Sequence, residues 1–392
     1  MTLVALVALV GMAAGTAVAS ATEWTSQPTP RLAREQTGTL AAVSCSSPTA
    51  CMAVGNESRG TAPMTPLAER FNGASWTIQA LPHEPYGELK AVSCSSSTSC
   101  LAVGSLGSAF NARSSTGDST SQLVEHFNGR RWTVVPAPTR ADASLTSVSC
   151  GGARACIAVG ETSSRSPLAE RFDGTSLTAI PSVPAVLPNG VEGVSSMLAS
   201  VSCTSPIACT AVGNEAIFWL NPNAGGEGGA PPGTSDLPLA QHWDGSTWSA
   251  EPLPASLGWP LGASAISCAA ENRCVAVGQT TNTAVQIASF DGSNWLAEPV
   301  NLPSSHGNPA LSALSCSSLT ACTAVGSIGP KLGVLRFNGT TWRSQTLPTA
   351  GTRALTSQGQ LTGVSCPTMR FCVAVGSPNA LRPPVLKWTG GR

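Results

Sequence analysis

Two short hydrophobic runs return seven times along the chain, one ending at a cysteine (AVSC, SVSC, AISC, ALSC, GVSC) and the other starting at one (CMAVG, CLAVG, CIAVG, CTAVG, CVAVG). Both are brief, apolar and rich in small or β-branched residues, which predicts two strands, a and b. Five small or polar residues separate the cysteines of each pair, so a and b form a hairpin with the two thiols facing each other across the ladder.

After each hairpin an aromatic precedes Asn-Gly or Asp-Gly: Phe71, Phe127, Phe172, Trp243, Phe290 and Phe337, with Trp388-Thr389-Gly390 as a weaker seventh. Five residues beyond the aromatic stands Trp76, Trp132, Trp248, Trp295 or Trp342, replaced once by Leu177. Asn-Gly and Asp-Gly favour a two-residue hairpin turn, so strand c is expected to end at the aromatic and strand d to open at Trp.

A four-stranded unit recurring about every 50 residues belongs to solenoids and propellers. Seven such units predict an all-β, seven-bladed β-propeller with four antiparallel strands per blade. The seventh copy stops after Trp388-Thr389-Gly390 and lacks strand d, whereas Trp24 to Pro30 near the N-terminus has the Trp-to-Pro form of one. The expectation is a single domain over residues 22–392, closed by the N-terminal strand pairing with the last blade.

The cysteine pairs are Cys45 and Cys51, Cys94 and Cys100, Cys150 and Cys156, Cys203 and Cys209, Cys268 and Cys274, Cys316 and Cys322, and Cys366 and Cys372. A zinc site wants four ligands, usually at shorter cysteine spacing and often with histidine, and the four histidines lie outside these hairpins. Structural disulfides are therefore expected and no metal, each bridge adding about 2 kcal/mol in the chain-entropy model.

The pattern SVSCxSxxxCxAVG, followed by aromatic, Asn or Asp, Gly, two residues and Trp, resembles the repeats of secreted bacterial β-propeller proteins. Its Asp-Gly-x-x-Trp turn is similar to kelch and Asp-box repeats, but it lacks the kelch double glycine and is one residue shorter than an Asp-box. The resemblance covers essentially residues 22–392 and brings no catalytic residue with it.

Composition narrows the functional classes. The 21 basic and 21 acidic residues cancel, charged residues are 11 %, and Lys occurs only at Lys90, Lys331 and Lys387. This excludes nucleic acid and anionic membrane as expected partners. Leu3 to Val18 is apolar and runs into Ala17-Val18-Ala19-Ser20-Ala21, which reads as a signal peptide over residues 1–21, cut after Ala19 or Ala21. The other reading of the same segment is an uncleaved membrane anchor. Both place the body outside the cytoplasm, secreted or held at the outer face of the membrane, in agreement with seven bridges.

The a-to-b and c-to-d connections, which share one rim, have constant length, whereas the b-to-c and d-to-a connections of the other rim vary widely. Function is expected on the variable rim. The aromatics that the repeat does not require fall there: Tyr86, Phe110, Phe218 and Trp219 in the long fourth-copy insertion, and Trp259. Aromatic faces suit stacking on sugars or anchoring a protein. The expected role is an exported, monomeric, non-catalytic binding or scaffold module for a cell-surface glycan or protein, without cofactor. A purely structural surface protein is a further reading. The enzymatic alternative is a sialidase-like glycan hydrolase or lyase centred on Tyr86 and Glu88. The strand-c pairs Glu69-Arg70, Glu125-His126 and Glu170-Arg171 read as solvated strand positions, and the repeat aromatics as wedges between blades.

Overall fold

The computed structural model describes residues 24–32, 36–107, 121–138, 143–182, 191–219, 234–251, 253, 262–278, 286–300, 309–329, 331–348, 359–377 and 383–390. All regular structure among them is β, in seven four-stranded antiparallel sheets. The first strand, β1 (Trp24–Ser26), lies apart from the first blade, which consists of β2 (Gln36–Ser47), β3 (Ala50–Arg59), β4 (Thr65–Phe71) and β5 (Trp76–Ile78). Blades 2 to 6 repeat this order, and blade 7 is completed by β1, which pairs antiparallel with Val385–Thr389 in the register Trp24 to Trp388. The strand-a elements line the centre, each beside those of the two neighbouring blades, with blade 7 next to blade 1. The propeller expected from the repeat is thus the observed fold.

The bridges form in register, Cys45 opposite Cys51 and likewise in the other blades, each between residues six apart. The a-to-b hairpin is tighter than its five-residue spacing implied. Ser47 still pairs with Ala50 after a bulge at Ser46, so only Pro48 and Thr49 turn. The c-to-d connection is wider than expected: Phe71 pairs with Trp76, leaving a four-residue loop in which Asn72 Oδ1 accepts the N–H groups of Ala74 and Ser75. Asp173, Asp244, Asp291, Asn128 and Asn338 do the same in their blades. These backbone donations hold the Asp173 carboxyl down at about 2, first through Ser176 N–H and then through Thr175. The Gly of the Asn-Gly pair supplies the positive φ this loop demands, +97° at Gly73.

Seven apolar clusters fill the spaces between adjacent blades, including the 7/1 junction, where Leu40, Leu67 and Phe71 meet Val373, Val375 and Val385. The repeat Trp residues are buried in these layers, as wedges should be. A bulge between Leu40 and Ala42 folds β2 onto Gly55, where a Cβ would stand 2.0 Å from Thr39 O. The same contact recurs at Gly104, Gly160, Gly213, Gly326 and Gly376, and it explains the Gly of those AVG runs.

A belt of hydrogen bonds joins the blades. The serine before each first cysteine accepts the N–H of the next blade's first cysteine: Cys94 N to Ser44 Oγ, Cys150 N to Ser93, Cys203 N to Ser149, Cys268 N to Ser202, Cys316 N to Ser267 and Cys366 N to Ser315. Cys45 N to Ser365 Oγ closes the circle.

Candidate binding rim

Gly73 packs on Thr49, and Gly129 on Thr98, so the a-to-b turns and c-to-d loops share one repetitive rim. The opposite rim carries the connections of unequal length. Between blades 1 and 2 the chain passes through His83-Glu84-Pro85-Tyr86-Gly87. Tyr86 adopts φ +68°, a region L side chains seldom enter. Three backbone bonds hold it there: its N–H donates to Met64 O (2.8 Å), its carbonyl accepts Gly107 N–H (3.0 Å), and Gly87 N–H donates to Glu84 O (3.1 Å). The half-buried Tyr86 is therefore fixed by the b-to-c connections of both blades. Strain of this kind, overdetermined by its surroundings, is characteristic of functional loops. Arg165, φ +56°, makes a similar link on this rim, its carbonyl accepting Ser196 N–H from blade 4.

Two residues beyond Tyr86, Glu88 Oε1 accepts Ser105 Oγ and Lys90 Nζ, each at 3.0 Å. Lys90 also donates to Ser144 Oγ of blade 3 (3.0 Å). The cluster links blades 2 and 3, and Glu88 is an engaged acceptor.

Glu69, Glu125 and Glu170 are fully buried, which corrects their reading as solvated strand residues. The parity of strand c gives the cause. Glu69 stands between Leu67 and Phe71 on one face, and those two side chains pack against blade 7. Among the described residues neither oxygen of Glu69 or Glu125 has a hydrogen-bond partner, while Glu170 Oε1 accepts Gln122 Nε2 from blade 2 (2.8 Å). Desolvation pushes Glu69 up to about 7, and desolvation followed by the charge of Glu84 pushes Glu125 to about 8. Gln241 is the blade-4 equivalent, and Ala288, Leu335 and Leu386 follow in blades 5 to 7. A polar layer thus runs under the arc of blades 1 to 4 alone.

Phe218 and Trp219 belong to strand b of blade 4 (Ala208–Trp219), paired with Gly193 and Val191, and not to an irregular insertion. Strands a and c of this blade, Val191–Ser205 and Thr234–Trp243, lengthen with it, because Ala216-Ile217-Phe218-Trp219 continues the ladder. Phe110 and Trp259 lie outside the described residues, as does the N-terminal segment 1–21. Among the described residues there is no group of three metal-ligating side chains and no helix long and apolar enough to cross a membrane.

No family model and no curated protein matches this chain. Solved structures do match in fold. The chain is similar to YCF48 bound to a D1 peptide (13 % identity, TM-score 0.52, covering 94 % of this chain and 97 % of that one). It is similar to YCF48 from Cyanidioschyzon merolae (13 %, 0.51, covering 94 % and 98 %). The β-propeller domain of Cps50 (Swd1) from Myceliophteria thermophila matches at 9 % identity and TM-score 0.54, covering 94 % of this chain and 100 % of that one.

Proposed function

We propose that the protein is an exported, non-catalytic binding propeller that holds a cell-surface glycan or protein on the arc of its variable rim over blades 1 to 4. The observation that carries this reading is Tyr86, an aromatic fixed in a left-handed conformation by loops of two blades, beside the Glu88-Lys90 pair. A loop backbone fixed in advance costs little further ordering on binding. The extended ladder carrying Phe218 and Trp219 belongs to the same arc, with Phe110 and Trp259 as further contact residues. Residues 1–21 serve as the export signal in this proposal, the module acts as a monomer, and the repeats stand beside kelch and Asp-box units as a variant type. Seven bridges favour an oxidising compartment.

The test is a pull-down of purified mature protein on insoluble cell-wall polysaccharides and on surface-protein extracts, with Tyr86→Ala and Trp219→Ala, Trp259→Ala variants alongside. Retention that is lost in both variants at unchanged melting temperature supports the reading. Retention unaffected by either set overturns it.

A further inference from the structure

On the repetitive rim, in blades 1, 2 and 6, the residue before the strand-c aromatic faces the ring of the next blade. In blade 1 it is Arg70, whose guanidinium carbon lies 5.3 Å from the Phe127 ring centre and whose Nη2 donates to Ser97 O (3.2 Å). In blade 6 it is Arg336, 3.3 Å over Trp388, with Nη2 donating to Met369 O (3.3 Å). In blade 2 the ring of His126 takes this place, 5.3 Å from Phe172. Blades 1, 2 and 6 therefore share one device: a flat cationic or aromatic group on the neighbouring ring and, for Arg70 and Arg336, a bond to the third residue after the neighbour's first cysteine.

Blade 5 lacks the device. Its residue at this position is Ser289, too short to reach Phe337, and its hydroxyl turns to Glu298 Oε1 (2.5 Å). Phe337 is left half-buried, whereas Phe127 and Trp388 are 1 % and 4 % exposed. A cleft of about 190 Å³ opens between blades 5 and 6, lined by Ser289, Glu298, Phe337 and Leu319 among others. Leu319 is the third residue after Cys316, the place held by Ser97 after Cys94 and Met369 after Cys366. The volume is below the roughly 300–1,000 Å³ of small-molecule pockets and suits a single side chain. Asp291 and Arg273 also line the cleft. Asp291 is committed to the N–H groups of Ser293 and Asn294 in its own turn, and the Arg273 charge acts on it. Glu298 is the carboxylate that faces an incoming group.

We propose that this cleft receives the guanidinium group of an arginine side chain from a partner polypeptide, stacked on Phe337 and bonded to Glu298 and the Leu319 carbonyl. The arrangement offers what Arg70 and Arg336 find inside the ring, an aromatic face and a backbone acceptor, and adds a carboxylate.

The test titrates the full mature protein with the blocked tripeptide Gly-Arg-Gly, its citrulline analogue and methylguanidine, followed by calorimetry and by Trp fluorescence. The expected result is saturable binding of the arginine peptide and none of the uncharged citrulline peptide. Glu298→Gln should weaken binding by about tenfold. Ser289→Arg should fill the cleft from within and abolish binding while the melting temperature holds or rises, which separates occlusion from misfolding. Absence of arginine-peptide binding, or equal binding to the Ser289→Arg variant, overturns the proposal. Methylguanidine binding as tightly as the peptide overturns the assignment to a polypeptide.

Discussion

Ser44 and its six counterparts each accept an N–H that no strand partner would otherwise satisfy. Ser44→Ala should therefore cost about 1–3 kcal/mol in urea unfolding, the penalty of leaving the Cys94 N–H without an acceptor. Gly55→Ala should cost more, because its Cβ would lie 2.0 Å from Thr39 O. Gly152→Ala, whose Cβ would meet nothing closer than 3.7 Å, should be close to neutral and serves as the control. The buried glutamates give a pH signature. Their folded values of about 7 and 8 lie above the ordinary 4.5, so between pH 4.5 and 8 the folded state binds more protons than the unfolded one. Stability contributed by the neutral acids is full below pH 4.5 and declines as pH rises through the folded values, on the order of 3 kcal/mol for each group. Glu69→Gln with Glu125→Gln should flatten that decline in melting temperatures measured from pH 5 to 8.5; an unchanged slope would show that these carboxyls do not titrate there. Both features left traces in the sequence. Serine precedes the first cysteine in all seven copies, and small size alone does not demand a hydroxyl. Glu69 shares strand parity with Leu67 and Phe71, which places it inside, yet its charge argues for the outside, and only the packing of the neighbouring blade decides.

At the scale of elements, the blade is a hairpin stapled near its tip, with a third strand and a short outer one. β1 is only three residues long, yet Trp24 is 1 % exposed between Leu386, Trp388 and the blade-6 residues Val325 and Val334. Trp24→Ala should lower stability by about 3–5 kcal/mol, the usual cost of emptying a buried aromatic site. Removing residues 24–30 should lower the melting temperature further, since the edge of Val385–Thr389 then loses its ladder partner. A melting curve unchanged by the deletion would show that the ring closes without β1. This closure was legible from the chain ends because strand identity rests on the Trp-to-Pro pattern. The length of the blade-4 strands was not, since its Gly- and Pro-rich stretch hides where pairing resumes at Thr234.

At the scale of the molecule, all seven bridges lie within single blades and none joins two of them. Non-reducing peptide mapping should return only pairs six positions apart. Replacing Cys45 and Cys51 by Ala should cost about 2 kcal/mol and leave the other bridges intact; any linkage between blades would contradict the architecture. The repeat made blade number and ring closure readable because each copy carries the same strand signals. The candidate site was readable only as a rim. Which residues converge there depends on contacts between copies, such as Tyr86 with Met64 and Gly107, that no single repeat contains.

The pairing of Trp24 with Trp388 also orders events in time. Synthesis runs from the N-terminus, so β1 is made before any blade and has no partner until Val385–Thr389 appears. Through that interval β1 is an unpaired strand, the form of β structure most prone to join the wrong chain. A chain halted before this point keeps its edge uncovered and its Cys45 N–H without Ser365. A product that stops short of Val385 would therefore keep the kind of exposed edge on which proteolysis and aggregation act.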